Sequence, residues 1–103
     1  MMGFNLFINM ENDIGYQKKD LCMTKNIDVI SKLLDEGVNV NNLCICGHTA
    51  IHFHTIEGNT DVVKYLLSKG ADPKIMNIYK DNNAITCAYY YKRTEIYSLL
   101  KDA

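Results

Sequence analysis

The feature that most constrains this chain is that it repeats itself. The stretch NIDVISKLLDEGVNV, Asn26 to Val40, lies 33 residues before NTDVVKYLLSKGADP, Asn59 to Pro73. In that register Val29 meets Val62, Ile30 meets Val63, Leu33 and Leu34 meet Leu66 and Leu67, and Gly37 meets Gly70. A third copy follows at a shift of 34, where DNNAITCAYYYKRTEIYSLL from Asp81 tracks GHTAIHFHTIEGNTDVVKYL from Gly47. One extra residue therefore falls in the loop between Asp72 and Asp81. A period of this length points to stacked supersecondary units, each too small to bury its apolar face without a neighbour.

Each unit has an intelligible local structure. Val62, Val63, Leu66 and Leu67 stand at i, i+1, i+4 and i+5 and make one face of a short helix. Gly70, like Gly37 before it, is suited to end that helix in the left-handed conformation. A second short helix precedes it, with Thr49 as a good N-cap and Gly58 at its end; Asn83 can cap the corresponding helix of the third copy. The spacing predicts helices near Tyr16 to Lys25 and Ile27 to Glu36, Thr49 to Glu57 and Thr60 to Lys69, and Ala84 to Tyr91 and Glu95 to Leu100. Connecting segments such as ADPKIMNIYKDNN are rich in Asn, Asp and Pro and read as turns.

The period, the GHTAIH stretch in place of G-x-T-P-L-H, the following Gly and the VVKYLLSKGAD stretch resemble the ankyrin repeat. The middle unit, Asn42 to Lys74, matches best, and the resemblance extends from about Asp13 to Leu100. Ala50 and Ala84 replace the family's Pro, Thr86 replaces its His, and Lys92 replaces the Gly between the helices. The implied fold is an all-α solenoid of helix-turn-helix units with projecting turns. Its units run over about 13–41, 42–74 and 75–103, behind an apolar N-terminal extension or cap at 1–12. In that extension Phe4, Leu6, Phe7 and Ile8 are expected to fold back over the first unit. The polar first helix of the first unit and Lys101 in the last suit the two ends of a stack.

LCICGHTAIHFH, Leu43 to His54, holds two cysteines and three histidines, donors that zinc or copper can use. The resemblance makes His52 the structural histidine, its ring bonded to the Thr49 hydroxyl and nearby backbone. It puts Cys44 where Asp is usual, Cys46 and His48 on the projecting turn, and His54 in place of a small Ala. A metal set of Cys44, Cys46, His48 and His54 is the alternative reading. No base is oriented toward a chosen thiol, so no catalytic constellation and no cofactor are expected.

The resemblance also implies a concave face built from turn tips and first helices. Its residues in the middle unit are Ile45, Cys46, His48, Ile56 and Glu57; in the third they are Tyr79, Lys80, Asn82, Tyr90 and Tyr91. The first unit adds Asn12, Asp13, Met23 and Thr24. Such a density of apolar and aromatic groups suits a protein partner. Tyr89, Tyr90 and Tyr91 could equally cover the end of a short stack. The expected function is a non-catalytic protein-interaction module, an adaptor or decoy acting as a monomer.

Composition narrows the partner further. With 11 basic and 12 acidic residues and a net charge of -1, the chain offers no electrostatic ground for binding nucleic acid or an anionic membrane. No run approaches the roughly eighteen apolar residues of a membrane span. The apolar N-terminus has no preceding Lys or Arg and is broken by Asn5 and Asn9, unlike a signal peptide. The four cysteines, two of them at Cys44 and Cys46, do not read as a disulfide framework. An intracellular, cytoplasmic setting is expected, a host-cell cytosol included.

Overall fold

A computed structural model describes residues 21–44 and 47–103. The N-terminal extension, the start of the first expected helix, and Ile45 and Cys46 lie outside the described residues. A short 3-10 turn at Leu21–Met23 is followed by five helices: α1 (Ile27–Asp35), α2 (Ala50–Ile56), α3 (Thr60–Ser68), α4 (Ala84–Tyr90) and α5 (Thr94–Lys101). Among the described residues there is no strand, only an isolated antiparallel bridge between Leu43 and Thr49. The fold is the all-α repeat stack implied by the resemblance, with α2 against α3, α4 against α5, and each pair stacked on the next.

The caps explain why the helices begin where they do. The Asn26 side chain accepts from the backbone N–H groups of Asp28 and Val29 ahead of α1. Thr49 does the same for His52 at the start of α2. Asn83 accepts from both the N–H and the hydroxyl of Thr86 at 2.9 Å, so the Thr that stands in for the family's His still closes the first turn of α4. One boundary differs from expectation. The helix anticipated up to Lys25 ends in the 3-10 turn at Met23, because the Asn26 N–H is held by the Thr24 hydroxyl at 3.0 Å while Asn26 itself caps α1.

The core follows the period. Ile30 and Leu33 of α1, Val62, Val63 and Leu66 of α3, and Ile96 and Leu100 of α5 are buried, interleaved with Ala50, Ile51, Ala84 and Ala88. The small residues let α2 and α4 approach closely. Asn41 staples successive connections: its amide donates to the Gly70 carbonyl at 3.3 Å and its oxygen accepts from the Asp72 N–H at 2.8 Å.

The extra residue of the third unit can be located. In the middle turn the Cys44 N–H donates to the His48 carbonyl, and Gly47 at φ +86° donates to the Cys44 carbonyl. Thirty-three residues later Lys80, at φ +58°, donates to the Asn77 carbonyl, but the Asn77 N–H pairs with the carbonyl of Asn82 rather than that of residue 81. The insertion is thus a bulge at Asp81, at the far end of the turn.

Candidate functional site

Three layers of contact build the candidate face. The innermost is His52, fully buried at the start of α2. Its Nε2–H donates to the Asn82 carbonyl at 3.0 Å, which leaves Nδ1 to accept from the Thr49 hydroxyl at 2.7 Å and the Thr49 N–H at 3.3 Å. This is the structural role expected from the resemblance, and it ties α2 to the next turn. Burial holds the ring below the ordinary imidazole range; the Asn82 carbonyl opposes that shift and His48, whose ring lies edge-on 5.5 Å away, adds to it. His52 is therefore a neutral strut.

The second layer is the contact between projecting turns. The Ile78 N–H donates to the Gly47 carbonyl at 2.9 Å. A Cβ on Gly47 would fall 2.6 Å from the Ile78 side chain, so both the close approach and the positive φ require glycine here.

The third layer is a cleft of about 170 Å³ lined by His48, Ile56, Asn82, Cys87, Tyr90 and Tyr91. Five candidates, His48, Ile56, Asn82, Tyr90 and Tyr91, meet there from two units. Tyr90 is 75% exposed and Tyr91 46%, and their rings pack edge to face at 5.2 Å. Tyr79 is 74% exposed on the neighbouring turn. Glu57 and Lys80 are exposed outside the cleft lining, and Ile45 and Cys46 fall outside the described residues. Tyr89 turns the other way and packs on Tyr97 at 6.0 Å, so the three consecutive tyrosines divide between the cleft and the end of the stack.

Cys87 is the cleft residue that sequence reasoning missed, and the unbroken helical pattern of α4 gave no signal for it. Burial raises its thiol pKa and the charge of Asp81 raises it further. That is the opposite of what an activated nucleophile needs.

Two expectations are corrected. The cysteines do form a bridge: Cys22 and Cys44 are joined in a disulfide with Cα atoms 6.6 Å apart, a separation within the usual range. Only the stacking of one unit on the next brings these residues together, so their spacing in the chain gives no hint of it. The proposed metal set is not supported. Cys44 is committed to Cys22. His54, in place of the family's Ala, is buried with Nε2–H donating to the Leu21 carbonyl and Nδ1 accepting from the Asn59 amide, both at 3.0 Å. The Asn59 side chain, so occupied, does not cap α3. Among the described residues no group of three potential ligands converges.

Comparison with known proteins agrees with this geometry. A family model described as ankyrin repeats, in three copies, matches residues 20–103. Over 67 residues the chain is 36% identical to the nuclear factor NF-kappa-B p105 subunit of Gallus gallus, covering 64% of this chain and 7% of that protein. It is 30% identical over 74 residues to ankyrin repeat protein L271 of Acanthamoeba polyphaga mimivirus, covering 72% of this chain and 10% of that one. It is 32% identical over 59 residues to ankyrin repeat protein FPV242 of Fowlpox virus, 57% of this chain and 16% of the relative. The chain thus spans a small fraction of these longer proteins. Since the matched span takes in every helix described above, the chain belongs to the ankyrin repeat family.

Proposed function

We propose that the chain is a non-catalytic module that takes a protein partner on the face formed by Ile45, Cys46, His48, Ile56, Glu57, Tyr79, Lys80, Tyr90 and Tyr91. Ankyrin repeats are generally protein-interaction modules, and no helix among the described residues is long and apolar enough to cross a membrane. The observation that carries the reading is the cleft in which His48 and Ile56 of one unit face Tyr90 and Tyr91 of the next. Exposed aromatics around a half-buried aliphatic are the composition of an interface centre. Monomeric action in an intracellular, cytoplasmic setting, a host-cell cytosol included, belongs to the same proposal, in keeping with the viral relatives.

The test is a paired measurement. A partner captured by the wild-type chain is expected to be lost by the Ile56→Ala, Tyr90→Ala double variant, since truncating central interface side chains costs about 2 kcal/mol or more. The melting curve is expected to stay close to wild type. Capture that survives both truncations would move the partner surface elsewhere.

A further inference from the structure

The disulfide joins the 3-10 turn of the first unit to the opening of the projecting turn of the middle unit. Cys22 is 6% exposed in the 3-10 turn, and the residue before it, Leu21, holds His54 of α2 through its carbonyl. Cys44 is half-buried at the opening of the projecting turn. Its N–H bonds to the His48 carbonyl at 2.6 Å, and its carbonyl accepts from Gly47 at 2.8 Å. Gly47 in turn accepts from Ile78, the neighbour of Tyr79. One covalent bond therefore joins the first unit to the middle turn, and a backbone hydrogen bond joins the middle turn to the third unit.

Cys22 belongs to the same buried core as Ile30, Leu33, Val62, Val63, Leu66, Ile96 and Leu100, and Cys44 packs against it, while the aliphatic side chains of the helices supply most of that core. The pair thus differs from the disulfide frameworks that replace a core in small secreted domains. Cys22 is buried and Cys44 half-buried, so exchange with a small thiol enters through Cys44.

We propose that Cys22 and Cys44 form a reversible thiol–disulfide site, exchanged by low-molecular-weight thiols and disulfides, whose redox state sets how firmly the turn at Cys44 to His48 is held against the first unit. The thiolate of one such thiol attacks Sγ of Cys44, the less buried of the two residues, forming a mixed disulfide and expelling Cys22 as a thiolate that takes up a proton. A second thiol attacks the external sulfur of the mixed disulfide and releases Cys44. The small disulfide formed carries away nothing but the two sulfurs' worth of thiol, and the two electrons lost by the small thiols reduce the protein pair. A small disulfide of the same class reverses both steps.

The experiment uses the full chain carrying Cys46→Ser and Cys87→Ala, equilibrated in buffers of graded glutathione to glutathione disulfide ratio. Alkylation and mass measurement read the state of the pair, circular dichroism reads the helices, and amide hydrogen exchange reads the turns. The expected result is a reversible two-electron transition between states of equal helix content. The amides of Cys44, Gly47 and Ile78 are expected to exchange at least tenfold faster in the reduced state, and wild type with and without dithiothreitol should show the same contrast without any substitution. Three results overturn the proposal: no bridge under oxidising buffer, a bridge reduced only after global unfolding, or turn amides indifferent to its state. A chelator is expected to change none of these readings, and chelator-dependent protection of the turn would overturn the proposal in favour of a metal-held turn.

Discussion

The Arg93 guanidinium closes on the carbonyl of Ile56, 37 residues earlier, with Nη2 at 2.8 Å and Nε at 3.2 Å. That carbonyl ends α2 and has no partner within its helix, and a cation at a helix C-terminus is favoured by the dipole. The fork also fixes the end of α2 that carries Ile56 into the cleft. Arg93→Ala is expected to lower stability by about 1–2 kcal/mol, the lower part of the range for charged hydrogen bonds because the side chain is partly exposed. Arg93→Lys should fall between, since an ammonium lacks the planar fork. Urea unfolding of the three proteins is the measurement, and equal midpoints would show that the clamp contributes nothing.

Lys92 occupies φ +60° at the position where the preceding unit has Gly58 at φ +77°. A residue with a Cβ is disfavoured there by roughly 1–2 kcal/mol. Lys92→Gly is therefore expected to raise stability by about 1 kcal/mol after the entropic cost of glycine. The reciprocal change, Gly58→Ala, should lower it, because the added Cβ would also lie 3.1 Å from the Arg93 guanidinium. Thermal midpoints moving in opposite directions check both; a Lys92→Gly midpoint below wild type contradicts the first.

Thr55 is fully buried and has a hydroxyl without a hydrogen-bond partner. A valine of the same shape removes a stranded polar group without opening a cavity. Thr55→Val is expected to be neutral or stabilising by about 1 kcal/mol. Thr55→Ser, which keeps the hydroxyl and deletes a methyl, should destabilise by about 1 kcal/mol. Chemical denaturation distinguishes the two, and a damaging Thr55→Val would mean that the hydroxyl is satisfied in solution.

His52 makes stability depend on pH with a definite sign. Its folded pKa is depressed by burial, with the Asn82 carbonyl opposing and His48 reinforcing. Below about 6.5, the value for an unperturbed imidazole, the unfolded chain takes up a proton that the folded chain still refuses. The contribution of His52 is thus complete above that pH and is lost as pH falls through and below it. The melting midpoint should hold between pH 8 and 7 and decline from about 6.5 downward. In His52→Gln, whose amide can both donate to Asn82 and accept from Thr49, the decline should be shallower. Identical pH profiles for the two proteins would assign the effect to another group.

Much of the fold was legible in the chain because its determinants are local. Helix periodicity and the caps at Thr49 and Asn83 involve residues within four positions of one another, and the repeat compares the chain only with itself. Ile56, Tyr90 and Tyr91 could be assigned to one face for the same reason, by register. The amino-acid sequence by itself thus determined the family, the helix pairs of the middle and third units and the role of His52. Tertiary structure alone decided the partner of Cys22, the reach of His54 to Leu21, the clamp of Arg93 on Ile56 and the place of Cys87 in the cleft. Each of these joins residues from different units, 22 to 37 positions apart or across a packed interface. Whether such residues meet depends on the distance and rotation between stacked helices, which no pattern of spacing along one unit encodes.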